Sequence, residues 1–559
     1  METPGKALPA GATAAAAQWD ELVRSFIERY FEAHPTFGAG AGRHELDGRL
    51  PDWSPAAFEH EVARLREDRR RALAFDPAAL DEPRRFEREL LVAVTDADLF
   101  WLEEAEWHRR NPLFYSGPLD PNLYLSRDYA PLEQRLRSYV GYARQVPRAA
   151  EQVRANLRTP LPRTYAELGE MSFGGLAGYY ESDVPVVFAA VDDPDLQRQM
   201  REANAEAARA MRELGAWFHD QIPPAGEASG EFRLGADLYG RMLSATERVD
   251  VPLAELEAAG RRELARNLAA LREACAAFDP CLSVADCLAR VMARKPPEGP
   301  VEAARRQLAR LHRFIEENGL VSIPGSEEAR VEEAPPYQRW NSAYIDIPGP
   351  YDRHLPSIYY IAPPDPSWSP EEQAEYVPGE ADLLFVSAHE VWPGHFLQFL
   401  HSNRAASSLG QLFVGYGFAE GWAHYSEELM WEAGFGGGDP FLHIGQLQNA
   451  LLRNVRYLVA LGLHTGDLTV EEAERMFREQ AFQDPANARQ QAARGTFDPG
   501  FLNYTLGKLM IRKLREDWTA PRGGRAAWRE FHDRLLSYGG PPIPLVRRAM
   551  MGGGAGAVL

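Results

Sequence analysis

The chain has little cysteine, little lysine and no long apolar run. Three cysteines, Cys275, Cys281 and Cys287, occur in 559 residues. They form no Cys-x-x-Cys, and their odd count argues against a disulfide framework and against a cysteine metal site. In an alanine-rich helical stretch they read as buried apolar filler. Lysine occurs four times (Lys6, Lys295, Lys508, Lys513), so arginine supplies the remaining positive charge. The chain is nevertheless acidic, with a net charge of −20 and a pI of about 5.3. Nucleic acids and anionic membranes need concentrated positive charge, so neither is expected as a partner. There is no run of 18 apolar residues, and the opening METPGKALPAGATAAAAQWDEL lacks the leucine- or valine-rich core of a signal peptide. A soluble, cytoplasmic protein is the expectation, with residues 1–16 as a disordered tail.

Apolar residues make up 45% of the chain, enough for a large core. No repeat or low-complexity block divides it. Residues 17–559 are therefore expected to form one large helical body, with sub-lobes of about 17–320 and 321–559. Apolar positions recur at three- and four-residue spacing over Glu21–Glu32, Ala57–Phe75, Arg84–Glu106, Asp195–His219 and Leu253–Phe278. Val321–Trp368 differs, being rich in Pro, Tyr and Ile, and Ser357–Ala362 reads as a short strand. Helical patterns resume at Asp382. The prediction is a mostly α protein with a small β-sheet beside the helices that carry the motifs described next.

The stretch Leu383-Leu-Phe-Val-Ser-Ala-His-Glu-Val-Trp-Pro-Gly-His-Phe-Leu-Gln398 resembles the zincin motif His-Glu-x-x-His. In that motif two histidines one helical turn apart bind zinc and the glutamate activates water. Here the second histidine follows the first by six residues, which on an ideal helix turns His395 roughly 120° away from His389. Pro393 offers a remedy. A helical proline clashes with the carbonyl four residues back, here that of His389, so with Gly394 it can bulge or kink the helix and return His395 to the face of His389. The bland alternative is a Pro-Gly helix break with two incidental histidines.

A third ligand is expected on a following helix, and Gly415-Tyr-Gly-Phe-Ala-Glu-Gly-Trp-Ala-His-Tyr-Ser-Glu-Glu-Leu429 supplies Glu420 in an apolar and aromatic setting. Gly421 lets a neighbouring backbone or a substrate approach. His424, one turn on, is either a supporting donor or a rival ligand. Glu427 and Glu428 read as solvated or as supporting the ligands. Further on, Phe441–His464 is apolar almost all round except for one stripe, Gln446, Asn449, Arg453 and Arg456. The stripe is either a solvated face or the lining of a polar cavity. In the second case Arg453 or Arg456 could grip a carboxylate in bidentate fashion.

The phrases His389-Glu-x-x-Pro-Gly-His-x-x-Gln398 and Glu420-Gly-Trp-Ala-x-Tyr425 resemble the domain-of-unknown-function 885 family. Its members resemble gluzincin-type zinc peptidases such as angiotensin-converting enzyme and the thermostable carboxypeptidases. The resemblance implies a helical peptidase body with a deep cleft, spanning most of the chain. It also brings in Asp498-Pro-Gly-Phe-Leu-Asn-Tyr-Thr-Leu-Gly-Lys508, where one residue fewer than usual separates Pro-Gly from Tyr. By that resemblance Tyr504 would hydrogen-bond an oxyanion, the alternative being a core tyrosine. Lys508 would meet a substrate carboxylate, and His464 is a second candidate for Tyr504's role.

The expected site is Zn²⁺ on His389, His395 and Glu420, with Glu390 as general base and Tyr504 and His464 as oxyanion donors. Arg453, Arg456 and Lys508 are the expected substrate-binding residues. Such a site hydrolyses peptide bonds, of short peptides or from the C-terminus, and Ile358–Ile361 would pair with an extended substrate backbone. Hydrolysis of non-peptide amides or esters, or a non-catalytic binding protein on the same fold, are the alternatives.

Overall fold

The computed structural model describes residues 10–224, 230–334, 342–365, 367–552 and 556–559. The chain is mostly helical and forms two compact units. The first holds residues 1–231 together with Gly349–Leu355 and Ser407–Phe413; the second holds Phe232–Pro348, Pro356–Ala406 and Val414–Leu559. The expected single body, with a finer break near residue 320, is corrected accordingly. Two short segments of the C-terminal half belong to the first unit for packing reasons. Leu409 and Leu412 are buried in its core, and Tyr351 donates its backbone N–H to the Ala41 carbonyl.

In the first unit the longer helices include Ala10–Ala33, Pro55–Ala74, Glu82–Leu99, Arg163–Ser182 and Pro194–His219. Ser54, Asp81 and Asp193 start three of them, each accepting a hydrogen bond from the first turn, with proline just inside. Trp19, Phe26, Phe31, Leu65 and Leu90 form the core beneath. The expected tail is corrected in part. Residues 1–9 lie outside the described residues, but from Ala10 the chain is helical, as the strong helix preference of the run Ala14–Ala17 favours.

The second unit carries every candidate site residue. Its small sheet has β1 (Arg330–Glu333), β2 (Ala343–Asp346) and β3 (Ile358–Ile361) in the order β1-β3-β2. β1 runs parallel and β2 antiparallel to β3. The predicted strand is thus present, but both its edges are taken. It cannot pair with a substrate, and that expectation is corrected.

Eight helices frame the site: α1 (Ala236–Glu247), α2 (Leu253–Phe278), α3 (Glu380–Glu390), α4 (His395–Ser402), α5 (Tyr416–Glu432), α6 (Pro440–Thr465), α7 (Pro485–Phe497) and α8 (Asn503–Thr519). α6 is buried along most of its length, as its composition requires, and Asp439 caps its start. α2 packs along it, with Tyr457 donating to the Leu256 carbonyl at 2.8 Å and Asn267 to Asn454 at 2.7 Å. Where α2 ends, a turn brings Cys275 and Cys287 together as a disulfide with their Cα atoms 5.9 Å apart, while Cys281 is exposed. The reading of all three as unpaired filler is corrected. Sequence spacing does not reveal that the helix Val284–Met292 lies against α2. No described helix is long and apolar enough to cross a membrane.

α5 and α8 cross at glycines. A Cβ on Gly421 would meet Gly507 Cα, and one on Gly507 would meet the Gly417 carbonyl. The approach that Gly421 permits is therefore that of a backbone, and it sets Tyr504 on α8 beside Glu420 on α5. Gly507→Ala should force the helices apart and cost about 1–3 kcal/mol of stability in urea unfolding. An unchanged unfolding midpoint would refute this close crossing.

Candidate metal centre

The chain between the two histidines breaks where a bulge was expected. α3 ends at Glu390, α4 begins at His395, and the Trp392–Pro393 peptide is cis. The bulge is corrected to two helices joined by a four-residue link. The link is folded tightly enough to do the work foreseen for the bulge. Gly394 donates its N–H to the Ala388 carbonyl at 2.9 Å, and a Cβ there would run into the carbonyls of His389 and Ala388. Only glycine fits. Trp422 of α5 pins the link by donating Nε1–H to the Pro393 carbonyl at 2.8 Å. His395 thereby returns to His389, with the ring centroids 4.8 Å apart at 87°.

Glu420 completes the group. Its Oε2 lies 3.3 Å from His389 Nε2 and 3.5 Å from His395 Nε2. One ligand atom from each of the three residues lies within 4.8 Å of the others, and no other such group of His, Cys, Asp or Glu occurs among the described residues. Glu420 Oε2 is buried and accepts no hydrogen bond despite the two nitrogens near it. Two imidazole nitrogens and a carboxylate oxygen that converge without bonding one another suit a divalent cation such as zinc.

The groups behind the ligands are as specific. His389 Nδ1 lies 2.7 Å from Glu427 Oε1, a fully buried carboxylate. The Arg453 guanidinium forms an ion pair with the same oxygen, Nη2 lying 3.0 Å from it and 3.2 Å from His389 Nδ1, and its Nη1 donates to the Asn449 carbonyl at 3.0 Å. Asn449 in turn donates to Asp382 at 2.7 Å. Burial and Arg453 push the His389 imidazole down in pKa, but Glu420 and Glu427 outweigh them and lift it to about 9. A metal on Nε2 would have to displace that proton. Glu390 is next to the ligands, and burial raises its carboxyl above the usual range against the pull of His389 and His395. Its Oε2 accepts the Ile345 N–H of β2 at 3.2 Å.

His389, Glu390, His395 and Glu420 are thus brought together, and Tyr504 joins them. Its ring lies 6.4 Å from that of His389 at an interplanar angle of 17°, and burial and Glu420 raise its pKa. Its hydroxyl is 3.5 Å from Arg494 Nη2. Arg456, one turn beyond Arg453, stacks on Tyr504, its guanidinium carbon 4.9 Å from the ring centre.

Other expectations are corrected. His464 is away from the ligands, with Nε2 on the Gly495 carbonyl at 2.9 Å and its ring stacked on Tyr239; it braces α6. Lys508 cannot meet a substrate. It is buried between Glu263 at 2.6 Å and Glu428 at 2.9 Å, with Arg266 and Arg512 on the same carboxylates. Arg453 is committed to Glu427, so it orients His389 and is not open to a substrate. His424 is buried with Nδ1 3.8 Å from Glu427 and lies outside the ligand group. The polar stripe is no solvated face, since Gln446, Asn449 and Arg453 are all buried.

Sequence reasoning undervalued Glu427, although it lies two turns after Glu420 on the same face, a spacing that marks it. Tyr416, Arg494 and Asp498 were missed. Arg494 donates to Asp498 at 3.0 Å and to the Tyr416 hydroxyl at 3.2 Å, next to Tyr504. Nothing in their spacing points to the centre.

Fold and site define a mostly α protein with one candidate metal centre among the described residues. The chain belongs to the family described as bacterial protein of unknown function (DUF885), which matches residues 35–550. No curated protein matches it. Among solved structures, a candidate lipoprotein of unknown function from Shewanella oneidensis is similar over 95% of this chain and 99% of its own, with a TM-score of 0.80 and 21% identity. Another candidate lipoprotein, from Colwellia psychrerythraea, is similar over 96% and 99%, with a TM-score of 0.79 and 18% identity. At such identities the likeness is one of fold.

Two outcomes follow for the site. Glu427→Gln should weaken zinc binding about 10- to 100-fold, read by competition with a chromophoric chelator; unchanged affinity would remove Glu427 from the centre. Lys508→Ala should leave zinc affinity intact but cost about 3–5 kcal/mol in unfolding free energy, because it strands buried carboxylates. A Lys508→Ala protein of wild-type stability would show that the cluster is not structural.

Proposed function

We propose that the protein is a zinc-dependent hydrolase of the gluzincin kind, cleaving peptide bonds with Glu390 as general base. The observation that carries this reading is the convergence of His389, His395 and Glu420 with a half-buried carboxylate, Glu390, on the residue next to the first ligand. A purely structural metal would have no use for that carboxylate. Zinc held by the three ligands would supply Lewis acidity and bring the pKa of a water down to about 7. Glu390, held by the Ile345 N–H, is positioned to take the water's proton and to pass it to the departing amine. Tyr504 is the candidate donor to the oxyanion.

β2 favours a peptide over other amides. It is an edge strand, and its Ile345 N–H is turned toward Glu390 instead of toward β3. No described strand covers that edge, and an extended peptide could add there by main-chain hydrogen bonds. This moves the backbone-pairing role from β3 to β2. Non-peptide amides or esters would use the same catalytic groups but not the strand edge.

Glu390→Gln should keep zinc and fold but lose about 10²-fold or more in rate on a mixed peptide library read by mass spectrometry. Turnover within a few-fold of wild type would remove Glu390 from the mechanism. Absence of any zinc-dependent cleavage by the wild-type protein would sink the peptidase reading itself.

A further inference from the structure

Next to the ligand group lies a half-buried positive charge that the metal reading leaves unexplained. Arg456 donates Nε–H to Gln491 Oε1 at 2.9 Å, and its guanidinium carbon lies 4.8 and 4.9 Å from the ring centres of Phe501 and Tyr504. Among the described residues no carboxylate pairs with it, and its Nη groups find no protein acceptor. Burial draws its pKa down to about 10. Arg494 reaches the hydroxyl of the tyrosine over whose ring Arg456 lies, and its charge is answered by Asp498 at 3.0 Å. Two guanidinium groups therefore share one carboxylate, an excess of one positive charge. Aromatic faces offset part of the cost of burying a cation, but they leave its N–H groups unused.

We propose that Arg456, with Arg494 beside it, forms a subsite for a single carboxylate of the ligand, which in a peptide substrate is the C-terminal one. The excess of one charge matches a monoanion better than a phosphate dianion. The free Nη pair suits the two oxygens of a carboxylate. Position adds the length. Tyr504 lies 6.4 Å from the His389 ring and the guanidinium 4.9 Å beyond, so Arg456 is within about 11 Å of the ligands. An extended chain covers about 3.3–3.6 Å per residue. The carboxylate then closes the substrate no more than about three residues after the cleaved bond. The assignment to a peptide rests on the proposed function, while the carboxylate subsite itself does not.

The test uses the zinc-loaded Glu390→Gln protein, which should bind without turnover, and calorimetry with N-acetyl-alanyl-alanine, its C-terminal amide and inorganic phosphate. The free acid should bind about 10- to 100-fold more tightly than the amide, and more tightly than phosphate. Adding Arg456→Gln should erase the preference, while Arg456→Lys should restore part of it. Equal binding of acid and amide would overturn the subsite, as would a preference that survives Arg456→Gln or tighter binding of phosphate. If Arg456→Gln does not fold, the acid-to-amide ratio in the parent protein decides alone. A wild-type protein that cleaves neither peptide yet prefers the acid fails the hydrolase reading and keeps the subsite; zinc-dependent cleavage with no acid preference does the reverse.

Discussion

A buried carboxylate, Glu427, holds the centre together. Burying an ion costs several kcal/mol unless its hydrogen bonds are met. Here His389 and the Arg453 guanidinium answer one oxygen, Oε1, at 2.7 and 3.0 Å, while Oε2 accepts no hydrogen bond, so a single carboxylate oxygen joins α3, α5 and α6. Its consequence is directional. With Nδ1 engaged by Glu427, the His389 ring can present only Nε2 to Glu420 and His395, the orientation a metal ligand needs. Arg453 is itself fixed by Asn449, which also holds Asp382 on α3. The chain of contacts therefore returns to the helix on which it began.

Close backbone packing is the second condition. The link from Glu390 to His395 works because Gly394 can lie against the His389 carbonyl, and α5 meets α8 because Gly421 and Gly507 bring no side chains to the crossing. The first contact sets the angle between the two histidines. The second sets the distance from Glu420 to Tyr504. Trp422 connects the two by bonding the Pro393 carbonyl from α5. The residues that recur in the motifs between the ligands thus have packing duties that no catalytic account alone would assign to them.

How legible this was in the sequence depended on the range of each interaction. The helices and the strand at 358–361 follow from local spacing and are where that spacing put them; His389, His395 and Glu420 also converge, but across a four-residue link and not on the continuous helix that their spacing implied. The helix break at Pro393 could be foreseen as a disturbance but not as a complete stop, because the hydrogen bonds closing the link span six residues in place of four. Lys508 and His464 were misjudged for a different reason. Each is answered by a distant part of the chain, Glu263 for Lys508 and Gly495 for His464, and no periodicity announces such a partner. The disulfide escaped notice likewise, since a count of cysteines is silent about which two helices turn back on each other. Leu409 and Leu412 belong to the first unit because of a burial that the surrounding motif gives no hint of.

Arg453 and Arg456 show how far a pattern can be trusted. Three residues apart, they lie about 60° from each other around α6, on neighbouring faces of one polar stripe. The stripe predicts that both point into polar surroundings, and both do. It does not predict their duties. Arg453 meets a carboxylate already committed to a histidine, and its charge is spent within the protein. Arg456 is turned just far enough to miss Glu427 and to lie over Tyr504 instead, where no anion answers it. Around the ligands, Glu390, Glu420 and Glu427 outnumber Arg453 and a protonated His389, an excess of negative charge that a divalent cation would take up on displacing that proton. Around Arg456 the excess is positive. Tyr504 stands between the two, so in the proposed hydrolase this charge pattern would orient a substrate across that phenol: carboxylate toward Arg456, reacting carbonyl toward the histidines.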